Sequence, residues 1–251
     1  MMKSPLFYSF IILLCMASCR QGSDHSFPLK KYREMGMPDW SDGWTMDDYG
    51  NVIATLRNIQ LYEPSSLPRK GSRKSGKLFE QLVNLDYHDF LNDDSLPLHE
   101  KARRIQPFLH VQEELCDIYT NPLGTEQYYN RELVSLYISG LSLVQDMIDL
   151  AHQINESDDR IDISMRRGYP AMQYSYMAMI SSVLNEQSYF SQYREKDLEI
   201  LSDSVAASIK RNMSWFDPHT AKIIKDNLRV AVDSSSSESI RDAYGRLIDI
   251  L

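Results

Sequence analysis

Residues Gly71 to Lys77 read Gly-Ser-Arg-Lys-Ser-Gly-Lys and match the first seven positions of a phosphate-binding loop. In such a loop the glycine-rich backbone cradles phosphate oxygens and the lysine reaches toward them. The eighth position is Leu78, where a magnesium-ligating hydroxyl is required, and Glu63, Pro64 and Pro68 occupy the place of a buried strand. Phosphate transfer is therefore not expected. The segment does carry concentrated charge: Arg69, Lys70, Arg73, Lys74 and Lys77 lie within nine residues, with no acid between Glu63 and Glu80. In an acidic chain this is a local positive patch, suited to contact a partner or an anionic surface.

Three other groupings have chemical potential. Asp149 and His152 stand three apart at helical spacing, which matches half of a carboxylate-bridged di-iron site, but no second half exists in the chain. A solvated polar face is the better account. His99 and His110 share a helical face, but eleven residues separate them by about 16 Å along a helix, too far to share an ion. Asp39, Asp42, Asp47 and Asp48 resemble a calcium loop in composition only, without acids at the alternate positions that loop needs. Trp40, Trp44 and Tyr49 in the same stretch either staple the entry to the domain or form an aromatic contact surface. Gly-x-Ser-x-Gly and His-Glu-x-x-His are absent, and Cys116 lacks a cationic neighbour in the chain. No catalytic residue, metal ligand or cofactor is assigned.

The remaining cysteines carry a different chemistry. Lys3 precedes an apolar stretch from Leu6 to Leu14, and Met16, Ala17 and Ser18 lead into Cys19. This arrangement resembles a bacterial lipoprotein signal peptide, whose small residues fit the peptidase cleft and whose cysteine thiol takes the diacylglycerol. Met16 stands where leucine is usual in that class. The resemblance implies a leader over residues 1–18, lipid attachment at Cys19 and anchoring in the cell envelope. Bulky Ile12, Leu13 and Leu14 make Cys15 the poorer candidate. The apolar stretch falls short of the roughly 20 residues that span a bilayer. Arg20 follows the anchor, where aspartate would signal inner-membrane retention, so outer-membrane placement is favoured.

Loss of the leader removes one of 27 basic residues and none of the 35 acidic ones, leaving a net charge of −9. That balance argues against nucleic acid as a partner, since a basic face is needed to displace counterions. With Cys15 removed and Cys19 lipidated, Cys116 is the remaining thiol, so no intramolecular disulfide is expected and stability must come from packing.

Periodicity specifies what must position these residues. Residues 19–38 read as a lipidated tether, and 39–251 as one helical domain. Thr45 caps a helix with Tyr49, Val52, Ile53, Leu56 and Ile59 on its inner face, ending before Pro64. Leu78, Phe79, Leu82 and Val83 mark a short second helix. A third runs from near Ser95 and Pro97 through Ala102, Ile105, Leu109 and Cys116, bent at Pro107. The strongest pattern begins at Thr125 and continues to Ile154, forming the centre of the core. Its apolar run is expected to stop short of a membrane span because Gln145, Asp146 and Asp149 interrupt it. Further helices follow the breaks at Gly168 and Pro170 (with Tyr174, Met177, Ala178 and Val183 inward), at Arg194, at Pro218 and after Ser237. The expected fold is all-α, an irregular bundle of about eight helices around a long central helix.

These features lead to a lipid-anchored, non-enzymatic helical binding protein that acts through protein contacts, one form being an immunity-type inhibitor of an envelope-targeted toxin. An envelope hydrolase whose site assembles only in three dimensions and an envelope assembly or scaffold factor are the alternatives. Lipidation is directly testable: metabolic palmitate labelling should mark the wild-type protein and not Cys19→Ala, and labelling of the variant would refute the anchor.

Overall fold

The computed structural model describes residues 43–73, 75–120, 129–166, 176–177, 179–181, 183–184 and 193–251. Cys19, Trp40 and Lys74, the tether, the aspartates at 39 and 42, and Tyr174 and Ala178 lie outside these residues. Among the described residues the chain forms nine α-helices and no strand. They are α1 (Met46–Tyr62), α2 (Gly76–Val83), α3 (His88–Leu91), α4 (Leu98–Tyr119), α5 (Asn130–Glu156), α6 (Arg160–Met165), α7 (Glu195–Asn212), α8 (Pro218–Ser234) and α9 (Glu238–Ile248). The all-α bundle expected from periodicity is the fold observed.

Local chemistry sets several of the boundaries. At α1 the Thr45 hydroxyl accepts from the Asp48 N–H at 3.2 Å while the Asp48 carboxylate accepts from the Thr45 N–H at 2.8 Å, a reciprocal capping box. Trp44 and Tyr49 flank it with ring centroids 5.3 Å apart, the hydrophobic staple that fixes the entry angle of the chain. Asp217 caps α8, accepting from the Thr220 N–H at 2.7 Å with Pro218 in the first helical position. Ser237 caps α9 and donates to Glu195 at 2.8 Å, tying the start of α9 to the start of α7.

The helices pack as a series. Helix α1 lies on α4, α4 on α5, α5 on α7, α7 on α9 and α9 on α8, while α2 and α6 also touch α5. Helix α5 therefore joins the two ends of the bundle. It starts at Asn130, five residues after the expected start, because Tyr129 adopts a non-helical conformation and sends its hydroxyl to the Pro64 carbonyl. Helix α4 runs unbroken through Pro107, and its fully buried stripe is Ile105, Phe108, Val111, Leu115 and Ile118. Ala102, Leu109 and Cys116 sit at the margin of that stripe. In the segment after residue 175, Tyr176, Ile180 and Leu184 are the buried positions, and Met177 and Val183 flank them.

Helix α5 contains an 18-residue stretch of mean hydropathy 1.3 with at most two charged residues, so its composition alone meets the length and polarity of a membrane span. The interruption expected at Gln145 and Asp146 is thus insufficient. What distinguishes the helix is its covering: 61% of that stretch is buried by other parts of the chain, as in the core helix of a globular bundle.

Polar groups pin this core. Gln145 of α5 and Asn212 of α7 are both buried and exchange two amide hydrogen bonds, at 3.1 and 2.9 Å. Truncating Asn212 leaves the buried Gln145 carbonyl oxygen without its amide donor, which costs about 1–3 kcal/mol. Asn212→Ala should therefore lower the unfolding free energy by about 2 kcal/mol, whereas Arg229→Ala at the exposed Arg229–Asp226 pair should change it by less than about 0.5 kcal/mol. Urea denaturation followed by circular dichroism checks the difference, and equal effects would show that the amide pair contributes nothing.

Candidate functional site

The segment from Pro64 to Gly76 is gripped from below by two tyrosines. Tyr119 donates to the Pro68 carbonyl at 2.8 Å and Tyr129 donates to that of Pro64. Their rings pack edge to face, 5.4 Å between centroids, and Phe79 of α2 extends the stack. Arg69 lies over the Tyr129 ring, 4.3 Å from its centroid, and its Nε sits 3.8 Å from buried Glu132 in the first turn of α5. Glu132 also accepts from the Lys70 N–H at 2.8 Å, and the Lys70 ammonium donates to Ser135 at 2.7 Å. A carboxylate at this position is favoured by the positive end of α5, and here it anchors the loop.

The expected basic patch is consequently divided. Arg69 and Lys70 are engaged with α5, while Arg73 and Lys77 point to solvent. Several backbone amides that a phosphate cradle would use are already engaged within the segment. The Arg69 N–H goes to Ser75 Oγ, that of Ser72 to the Arg69 carbonyl, that of Ser75 to Ser72 Oγ and that of Gly76 to the Ser72 carbonyl. Gly71 turns the chain at φ +73°, a conformation that favours glycine.

Asp149 and His152, both partly exposed, have their partners on other elements. Asp149 accepts from Gln145 at 3.0 Å and pairs with Arg211 of α7, so it belongs to the polar seam between α5 and α7. His152 packs against Trp215, ring centroids 3.7 Å apart. Burial there pulls its pKa below the usual 6.5, against the opposing pull of Asp149 and Glu156. His99 and His110 do not meet. His99 instead faces Asp162 of α6, Nδ1 to Oδ1 at 3.4 Å.

Trp44 is only 5% exposed, and its ring belongs to the α1 staple. It is not the exposed aromatic contact surface entertained from sequence. Its edge contributes instead to an open groove of about 490 Å³ whose apolar floor is Trp44, Met46, Phe90, Pro107 and Phe108. Arg103, Arg104 and Asp86 supply the polar rim. Arg103 is paired with Glu100 at 2.8 Å, and Arg104 makes no ion pair among the described residues. The local signal for this groove was the succession Arg103-Arg104 and Pro107-Phe108. Proline removes one backbone donor from the helix, and the arginines lie one turn away. Phe90, supplied by another element, carries no such signal, and Trp44 is marked only by its aromatic stretch with Trp40 and Tyr49.

Compared with known proteins, the chain matches no family model, no curated protein and no solved structure.

The environment of His152 makes a testable pH dependence. Because the fold favours neutral imidazole, the stability contributed by this residue is complete above the unfolded value of 6.5 and is lost as pH falls through the lower folded value. Proton NMR should find His152 titrating below 6.5, and His152→Gln should flatten the stability loss between pH 6.5 and that folded value. A wild-type titration at or above 6.5 would contradict this.

Proposed function

We propose that this chain is a lipid-anchored binding protein of the cell envelope that acts through protein contacts, with the groove between α1, α3 and α4 as its recognition site. The observation that carries this reading is the groove itself: an aromatic and aliphatic floor beside two arginines. Such a surface complements a polypeptide that inserts an apolar side chain and presents a carboxylate next to it. Desolvated aromatic anchors supply most of the affinity at interfaces of this kind, and rim charges supply orientation and on-rate. Arg73, on the loop before α2, and Lys77, in the first turn of α2, are exposed outside the groove and add positive charge that steers acidic partners at low salt. The anchor at Cys19 confines the groove to the membrane surface and so raises its effective concentration toward other envelope components.

The reading is tested with a photo-crosslinking side chain placed at Phe90 or Arg104 of the full-length protein in cells, with Val230 on the exposed face of α8 as the control position. A discrete crosslinked polypeptide should form from the groove positions and not from Val230. Adding Arg73→Glu and Lys77→Glu should reduce its yield several-fold without loss of helicity. Absence of any discrete product, or the same products from all three positions, would overturn the proposal.

A further inference from the structure

The meeting of α4 with α6 buries polar atoms that the fold itself does not satisfy. His99 is the second residue of α4; Asp159 caps α6 and Asp162 lies in its first turn. One ligand-capable atom from each of the three lies within 4.8 Å of the others. Asp162 is 3% exposed, and its Oδ1 and the facing Nδ1 of His99 are both closed to solvent and without a hydrogen-bond partner. The two atoms face each other at 3.4 Å without forming a hydrogen bond, and leaving them buried in that state is costly.

We propose that His99, Asp159 and Asp162 form a binding site for a divalent transition cation, zinc by preference, with three protein ligands and a fourth position open to water.

The separation of the donor atoms supports coordination. Protein N–H···O hydrogen bonds cluster at about 2.7–3.2 Å, and the 3.4 Å between His99 Nδ1 and Asp162 Oδ1 is longer. Zinc takes nitrogen and carboxylate oxygen at about 2.0–2.2 Å in tetrahedral geometry, which places neighbouring ligand atoms about 3.3–3.5 Å apart. The observed gap matches the length of one edge of that tetrahedron. Two carboxylates and a neutral imidazole balance a double positive charge, and the imidazole nitrogen selects against calcium and magnesium, which take oxygen ligands.

The surrounding groups hold the ligands in position. Ser157 donates to Asp162 Oδ2 at 2.7 Å, fixing the carboxylate so that Oδ1 faces His99. Asp159 uses Oδ1 to accept the Ile161 N–H at 2.7 Å, which leaves its other oxygen available. Arg166 binds the carbonyls of Ile154 and Ser157 and so closes the connection between α5 and α6 around the cluster. Such outer contacts are the usual means by which metal ligands are oriented. Asp159 is exposed, which places the open coordination position on the solvent side. A bound cation would join the start of α4 to α6.

The test uses the full-length protein without an affinity tag, in detergent micelles, stripped with a chelator and titrated with cobalt or zinc chloride. Cobalt should produce the intense visible bands of tetrahedral coordination and be displaced by zinc, and calorimetry should give one zinc per chain. His99→Ala and Asp159→Ser should each weaken zinc binding about hundredfold or more, since even outer-contact losses cost about 10–100-fold. Serine retains the cap of α6, so Asp159→Ser separates loss of a ligand from loss of the helix. His110→Ala should bind as the wild type does. Failure of the wild type to bind saturably, or unchanged affinity in Asp159→Ser with its helicity intact, would overturn the site.

Discussion

Helix α5 cannot be left in water, and the rest of the bundle is arranged to cover it. Apolar residues occupy most of its circumference, from Leu133 and Leu136 to Leu141, Leu143, Ile148 and Leu150, all buried. Covering one face would expose the other. Helix α4 therefore packs on one part of the surface and α7 on another, and the outer helices are placed by what those two leave uncovered. The close approach of α4 requires a small residue: a Cβ at Gly140 would lie 3.2 Å from the Gln112 amide nitrogen, which donates to the Leu136 carbonyl. That bond gives a buried polar side chain of α4 a backbone partner on α5.

An apolar core specifies burial but not register, and the polar pins supply the difference. Gln145 with Asn212 and Asp149 with Arg211 align α5 against α7. Arg57 with Glu114 and Asp117 aligns α1 against α4. Lys101 of α4 is buried and donates to the Leu91 carbonyl at 2.7 Å, satisfying the end of the four-residue α3. The Gln145–Asn212 and Lys101 pairings close hydrogen-bonding groups that burial would otherwise leave unsatisfied, while the two arginine pairs lie nearer the surface. The same rule gives the His99 and Asp162 atoms their significance, because they are buried without such closure.

Much of this architecture was legible locally. Thr45 with Asp48, Asp217 with Pro218, and Ser237 are cap signals contained within a few residues, so α1, α8 and α9 begin where those residues indicate. The staple between Trp44 and Tyr49 is likewise a matter of five-residue spacing. Helices α3 and α6 carry no such mark, because four and six residues hold too little of a 3.6-residue period to register. The start of α5 was placed too early because the apolar pattern does not reveal that Tyr129 is held by a distant carbonyl.

The candidate sites were less legible, for a reason rooted in sequence distance. Charge density identified the segment from Arg69 to Lys77, but whether a given cation faces solvent depends on Glu132, some sixty residues away, and on the Tyr129 ring. Spacing along one helix paired Asp149 with His152, whereas the fold pairs Asp149 with Arg211 and His152 with Trp215. His99 and His110 share a helix, but the group that His99 faces is Asp162, brought there by the turn between α5 and α6. In an all-helical chain each element exposes its neighbours in sequence on different faces. Only residues three or four apart share a face, so a site that needs more groups than one face supplies draws the rest from another helix. The groove and the histidine–carboxylate cluster both have this form, and both use the N-terminal half of α4, which reaches α3 at Lys101 and α6 at His99.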